Sequence, residues 1–122
     1  MVPAMATTVL IVDDHASFRR AVRLVLEYEG YEVVGEAANG EEALRVAADM
    51  GPNLVLLDVN MPGMNGFEVA QRLTADEPAP AVVLTSSRND SDFDRRTARS
   101  GARGFIPKAE ISGARLSAML AS

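Results

Sequence analysis

The 122-residue chain predicts an α/β fold: a doubly wound, five-stranded parallel sheet in the order 2-1-3-4-5, with five helices. Three observations predict it. Short apolar runs alternate with stretches of helical period five times, joined by short connections, and right-handed crossovers then follow. Residues 9–12, 54–57 and 81–84 are uninterrupted apolar runs, as strands buried on both faces require. Residues 31–37 are mixed, with Glu32 and Glu36 interleaved with Val33 and Val34, which suits an exposed edge.

Each element has its own signals. Thr7 to Val12 is β-branched and apolar, and ends at Asp13-Asp14-His15. From Ala16 to Glu29 the period becomes helical, with Phe18, Val22, Val25 and Leu26 on one face and Gly30 as the stop. Asn39 followed by Glu42 is a capping pair that opens a helix burying Leu44, Ala47 and Ala48, ended by Gly51-Pro52. Leu54 to Asp58 is the central strand, with turn residues Asn60, Pro62 and Gly63 directly after it. Asn65 and Glu68 repeat the cap, and Phe67, Ala70 and Leu73 face the sheet. Ala81 to Thr85 is a buried strand, followed by Ser86 and Ser87. Ser91 to Ser100 is the weakest helix, with only Phe93 and Ala98 apolar, and is expected to be poorly anchored. Gly104 to Ile106 is a short strand ended by Pro107-Lys108. Ser112 caps the last helix, with Ile111 and Leu116 as a hydrophobic staple and Met119 and Leu120 to bury. The result is a flavodoxin-like sheet in one domain, residues 6–122.

Composition narrows the function. A formal charge of −5 argues against direct nucleic-acid binding, and the absence of cysteine excludes disulfides and thiol chemistry and leaves a metal to oxygen ligands. No apolar run reaches the length of a signal-peptide core or a membrane span, so a cytoplasmic protein without membrane contact is expected.

The polar residues at the strand ends carry the chemistry. Asp13 and Asp14 follow the first strand, Asp58 ends the third, Thr85 the fourth, and Lys108 follows the fifth. In the order 2-1-3-4-5 these four strands are neighbours, so their ends share the crevice where ligands bind. Two unit charges 4 Å apart repel by about 4 kcal/mol at an effective dielectric of about 20, and Mg²⁺ relieves such crowding with oxygen ligands and retained water. An ionised carboxylate beside a cation, a lysine and a hydroxyl can accept a phosphoryl group: Asp58 as nucleophile, Lys108 neutralising phosphoryl oxygens and Thr85 donating a hydrogen bond.

The stretches Leu10-Ile11-Val12-Asp13-Asp14, Leu56 to Gly66, Val83 to Ser87 and Gly104 to Lys108 resemble the receiver domain of two-component response regulators. The resemblance covers nearly the whole chain. It implies that a sensor histidine kinase phosphorylates Asp58, and that Asp14 and Asp58 bind Mg²⁺ directly. Asp13 would act largely through water, and the Asn60 carbonyl would add a ligand. It also implies a switch pair, Thr85 and Phe105, that passes the change to a downstream protein or a C-terminal output domain, with room for a phosphorylation-dependent dimer. Such a domain catalyses only its own phosphorylation and dephosphorylation, with Asn60 and Ser87 placed to tune phosphate lifetime. Ala109 stands where many receivers have proline after the lysine; with Asp13-Asp14-His15, this is closer to the NarL/FixJ kind.

Taken singly, each residue has a plainer role. Asp58 starts a turn, Asp13-Asp14 is a solvated turn, and Lys108 is a surface charge. Thr85 ends a strand, Phe105 is a core ring, His15 starts a helix at the surface, Met61 and Met64 pack, and Arg95, Arg96 and Arg99 form a solvated face. Two other functions compete. A phosphatase of the haloacid-dehalogenase type shares the fold class and the aspartyl nucleophile, but wants an acid where Asn60 stands. A phosphate-independent interaction module would not need the full set of site residues.

Overall fold

The alternation of buried strand and amphipathic helix is realised in full. The computed structural model describes residues 6–88 and 93–121. The elements are β1 (Thr8–Val12), α1 (Ala16–Tyr28), β2 (Glu32–Ala37), α2 (Gly40–Met50) and β3 (Leu54–Asp58), then α3 (Gly66–Leu73), β4 (Ala81–Ser86), α4 (Phe93–Ser100), β5 (Gly104–Pro107) and α5 (Gly113–Ala121). All strand pairs are parallel, and the order is β2-β1-β3-β4-β5.

Strand alternation divides the core into two layers. Leu10, Val12, Val55, Leu57, Val82 and Leu84 pack with residues of α2, α3 and α4. Val9, Ile11, Leu54, Leu56, Val83 and Ile106 pack with Val22 and Leu26 of α1 and Leu116 of α5. The four apolar residues of β3 are 0–1% exposed, and burying each contributes about 1.5–3 kcal/mol.

The caps form as their residues require. The Asn39 side chain accepts from the Glu42 N–H at 2.8 Å, and Asn65 accepts from the Glu68 N–H at 2.9 Å. The Ser112 hydroxyl accepts from the Arg115 N–H at 3.1 Å. Gly30 and Gly51 end α1 and α2 with φ of 97° and 55°. The edge strand β2 is tied to α1 by Glu36, which accepts from Arg19 Nε at 2.9 Å and Arg23 Nη1 at 2.8 Å.

Several expectations are corrected. Val25 of α1 is 44% exposed, because α1 turns only Val22 and Leu26 fully onto the sheet. Ala48 is exposed, and α2 buries Ala43 instead. The fourth helix is better anchored than its composition suggests. Phe93 packs between the rings of Phe67 and Phe105, with centroids at 5.8 and 5.1 Å, and the Arg96 guanidinium lies 4.2 Å from the Phe67 ring centre. Its expected start at Ser91 lies outside the described residues. Lys108 begins a short 3₁₀ turn, Lys108–Glu110, which was not expected.

One glycine controls the turn behind the central strand. The Gly66 N–H donates to the Val59 carbonyl at 3.2 Å, and a Cβ there would meet the Asp58 carbonyl oxygen and lie 2.6 Å from Val59 Cα. Both neighbours are backbone and cannot swing aside. Gly66→Ala is therefore expected to lower the unfolding free energy by about 2–4 kcal/mol in urea titrations. An unchanged midpoint would show that the turn has slack the structure lacks.

Candidate functional site

The site grows out of strand parity. Asp13 continues the alternation of Val9 and Ile11, Asp58 that of Leu54 and Leu56, Thr85 that of Val83, and Lys108 that of Ile106. All four follow the register of residues facing α1 and α5, one step beyond the apolar core. Asp58 and Thr85 are register partners across β3 and β4.

Three of these side chains meet at the sheet end. Lys108 Nζ lies 2.5 Å from Asp13 Oδ2 and 3.4 Å from Asp58 Oδ2. Asp13 and Asp58 are buried, and the lysine side chain is only 15% exposed. The ammonium also sits 4.3 Å from the centre of the Phe18 ring, so α1 supplies one wall. Arg19 holds the Asp13 carbonyl at 2.6 Å.

The turn after β3 holds the central acid. The Asn60 N–H donates to Asp58 Oδ1 at 2.9 Å, and the Asn60 side-chain amide donates to Ser86 Oγ at 2.6 Å. Ser86, not Ser87, is thus the serine joined to Asn60; Ser86 is buried and Ser87 exposed. Thr85 Oγ1 is buried with no hydrogen-bond partner among the described residues. An orphaned hydroxyl costs about 1–3 kcal/mol, so it favours an incoming acceptor.

The charges are unequal in their effects. Burial pushes the Asp58 carboxyl up and the charge of Asp13 adds to this; the Asn60 N–H opposes them without prevailing, so the group titrates above the ordinary aspartate range. Burial also raises Asp13, but the Lys108 ammonium and the His15 N–H outweigh it and hold it below that range. Burial pulls Lys108 down, and the two carboxylates more than restore it.

Asp13, Asp14, His15 and Asp58 can each place a ligand atom so that all lie within 4.8 Å of one another. Three carboxylates with one exposed edge fit a hard divalent cation that keeps some of its water. His15 joins this cluster as well as starting α1, through Nδ1 at 3.1 Å from Asp13 Oδ1 and 3.2 Å from Asp14 Oδ1. Phe105 lies apart from Thr85, half-buried in the other core layer against Phe93. Lys108, Thr85 and the acids were thus legible as a group. Phe18 and the inward reach of His15 were not, because they come from α1 and its cap, and Ser86 was not, because it lies on the opposite parity of β4 from Thr85.

A doubly wound sheet with acids, hydroxyl and ammonium gathered beyond the ends of β1, β3, β4 and β5 belongs to the class of phosphoacceptor signalling domains. Residues 9–121 match the response regulator receiver domain, and the chain belongs to that family. It is 43% identical over 106 residues to the virulence-factor transcription regulator BvgA of Bordetella pertussis, covering 87% of this chain and 51% of that one. It is 38% identical over 101 residues to the response regulator GacA of Pseudomonas aeruginosa, covering 82% and 47%. The chain therefore spans about half the length of these relatives. The solved receiver domain of the response regulator NarL from Mycobacterium tuberculosis superposes with a TM-score of 0.86 at 32% identity, over 98% of this chain and all of that one. The chain is a signalling module controlled by phosphorylation. No helix among the described residues is long and apolar enough to cross a membrane.

The electrostatics predict a pH-dependent effect of neutralising the central acid. A carboxyl raised in the folded state contributes stability below its unfolded pKa and loses it as pH rises through the folded value. In EDTA, Asp58→Asn is expected to melt above wild type at pH 7, with the gap closing as the pH falls into the acid range. A gap that widens on acidification, measured by calorimetry, would reverse the assignment.

Proposed function

We propose that Asp58 is the phosphoacceptor, taking a phosphoryl group from the phosphohistidine of a sensor histidine kinase. The observation that carries this reading is a buried Asp58 carboxylate facing the Lys108 ammonium at 3.4 Å, in register with Thr85, whose hydroxyl has no partner among the described residues. Asp14 and Asp58 would hold Mg²⁺ directly, Asp13 through water, with the Asn60 carbonyl as a further ligand. A bound ion would supply charge neutralisation for the phosphoryl oxygens.

The chain's own residues do the rest. The Asn60 N–H holds Asp58 Oδ1 and so fixes the carboxylate's orientation. A carboxylate oxygen attacks phosphorus, the P–N bond breaks, and the departing imidazole keeps the electron pair and takes a proton. Lys108 swings its ammonium from the carboxylates to the new phosphoryl oxygens, and Thr85 donates its hydroxyl to another. Catalysis is positioning and charge stabilisation, with no separate base required.

Movement of Thr85 draws on β4 and frees Phe105 to repack, which reshapes the face formed by α4 and β5. Driving a switch from 1:99 to 99:1 takes about 5.5 kcal/mol, and two charge-assisted hydrogen bonds contribute about 3–6 kcal/mol before reorganisation. A large but incomplete shift is the consequence. The output is a downstream protein or a C-terminal domain acting on transcription, by likeness to BvgA, through a phosphorylation-dependent dimer in the cytoplasm. The phosphatase alternative loses ground because the Asn60 amide, spent on Ser86, cannot serve as an acid.

Incubation with Mg²⁺ and acetyl phosphate is expected to add one phosphoryl group by intact mass, and Asp58→Asn to add none. Thr85→Ala should still accept phosphate, but with amide-exchange changes in α4 reduced several-fold. An unmodified wild type, or modification that survives Asp58→Asn, rejects the proposal.

A further inference from the structure

The phosphoacceptor reading leaves His15 without a task. It occupies the N-cap position of α1, yet its side chain makes no cap hydrogen bond. Instead Nδ1 approaches two aspartates, at 3.1 Å from Asp13 Oδ1 and 3.2 Å from Asp14 Oδ1. The backbone holds it there, since the His15 N–H donates to the same Asp13 oxygen at 2.8 Å. Adjacent ligands of a six-coordinate ion with bonds near 2.1 Å stand about 3.0 Å apart. Nδ1 and Asp14 Oδ1, 3.2 Å apart, are thus spaced as neighbouring ligands of one ion, with Asp13 and Asp58 offering oxygens within 4.8 Å. Nδ1 donates to the Asp13 carboxylate; a cation would replace that hydrogen bond, and the ring, 66% exposed, can carry its proton on Nε2 in water instead.

We propose that His15 is an additional protein ligand of the cation in the acidic cluster, and that it biases the site toward borderline first-row ions such as Co²⁺, Ni²⁺ and Zn²⁺. The proposal rests on reading that cluster as a cation site. Mg²⁺ prefers oxygen and dehydrates reluctantly, so an imidazole adds little to its binding. Imidazole suits the later first-row ions. Any acidic site binds Co²⁺ above Mg²⁺; what His15 adds is a difference that disappears with the ring.

The test is calorimetric titration of the whole chain with Co²⁺ and, separately, Mg²⁺, recording the visible absorption of bound Co²⁺. His15→Ala and His15→Gln are each expected to weaken Co²⁺ binding at least tenfold, to change Mg²⁺ binding less than twofold, and to shift the Co²⁺ spectrum. Glutamine keeps a polar arm beside the aspartates but offers no imidazole nitrogen. If it restores Co²⁺ affinity and spectrum, His15 is only a prop for Asp13 and Asp14, and the proposal fails. Equal losses for both ions, or none, also overturn it. Asp14→Asn separates the two levels: a wild type that binds neither ion, or an Asp14→Asn variant that binds both as well as wild type, removes the cation site itself. Mg²⁺ binding that needs Asp14, with Co²⁺ binding indifferent to His15, removes only the role of the histidine.

Discussion

Two carboxylates, Asp13 and Asp58, lie buried at the end of the sheet against one ammonium, that of Lys108. Two like charges about 4 Å apart repel by about 4 kcal/mol at an effective dielectric of about 20. The lysine meets most of Asp13's need and only part of Asp58's, which is why the first acid titrates low and the second high. Asp58 is therefore the less compensated charge, and its register partner Thr85 carries a hydroxyl with no partner among the described residues. A site in this condition favours whatever brings positive charge to the acids and oxygen acceptors to Lys108 and Thr85.

The fold maintains that tension by covering it well. The buried strand β3 cannot shift without exposing its four apolar side chains. Gly66 lets the turn into α3 press against the Asp58 backbone. On the other flank, α1 lays Phe18 beneath the lysine and ties Arg19 to both the Asp13 carbonyl and Glu36 of the edge strand. The acids are thus fixed by elements on both sides of the sheet, while Lys108 sits on a short turn with a flexible stem.

The far side of the sheet is built differently. Besides Phe93, the face of α4 turned inward carries Thr97 and Ser100, and Thr97 Oγ1 has no partner among the described residues. Polar groups buried this way hold a helix less firmly than the leucines and valines of the central strands. The aromatic set of Phe67, Phe93 and Phe105 does much of the anchoring. Phe105 thus ties β5 to α4 through Phe93.

The amino-acid order alone determined much of this protein. Apolar runs of strand length, Asn caps three residues before Glu and glycine stops mark the elements, because each rests on contacts within a few residues or on burial of an entire run, and their alternation with a polar second strand points to the sheet order. The strand-end position of Asp13, Asp58, Thr85 and Lys108 follows from that order. Tertiary structure alone decided the rest. Whether Val25 is covered depends on how far α1 tilts over the sheet, and which of Ser86 and Ser87 meets Asn60 depends on where β4 ends. Phe18 and His15 reach the site from a helix and its N-cap, where a half-turn of rotation would carry them to solvent. Helical period says which residues share a face, but only packing says what that face meets.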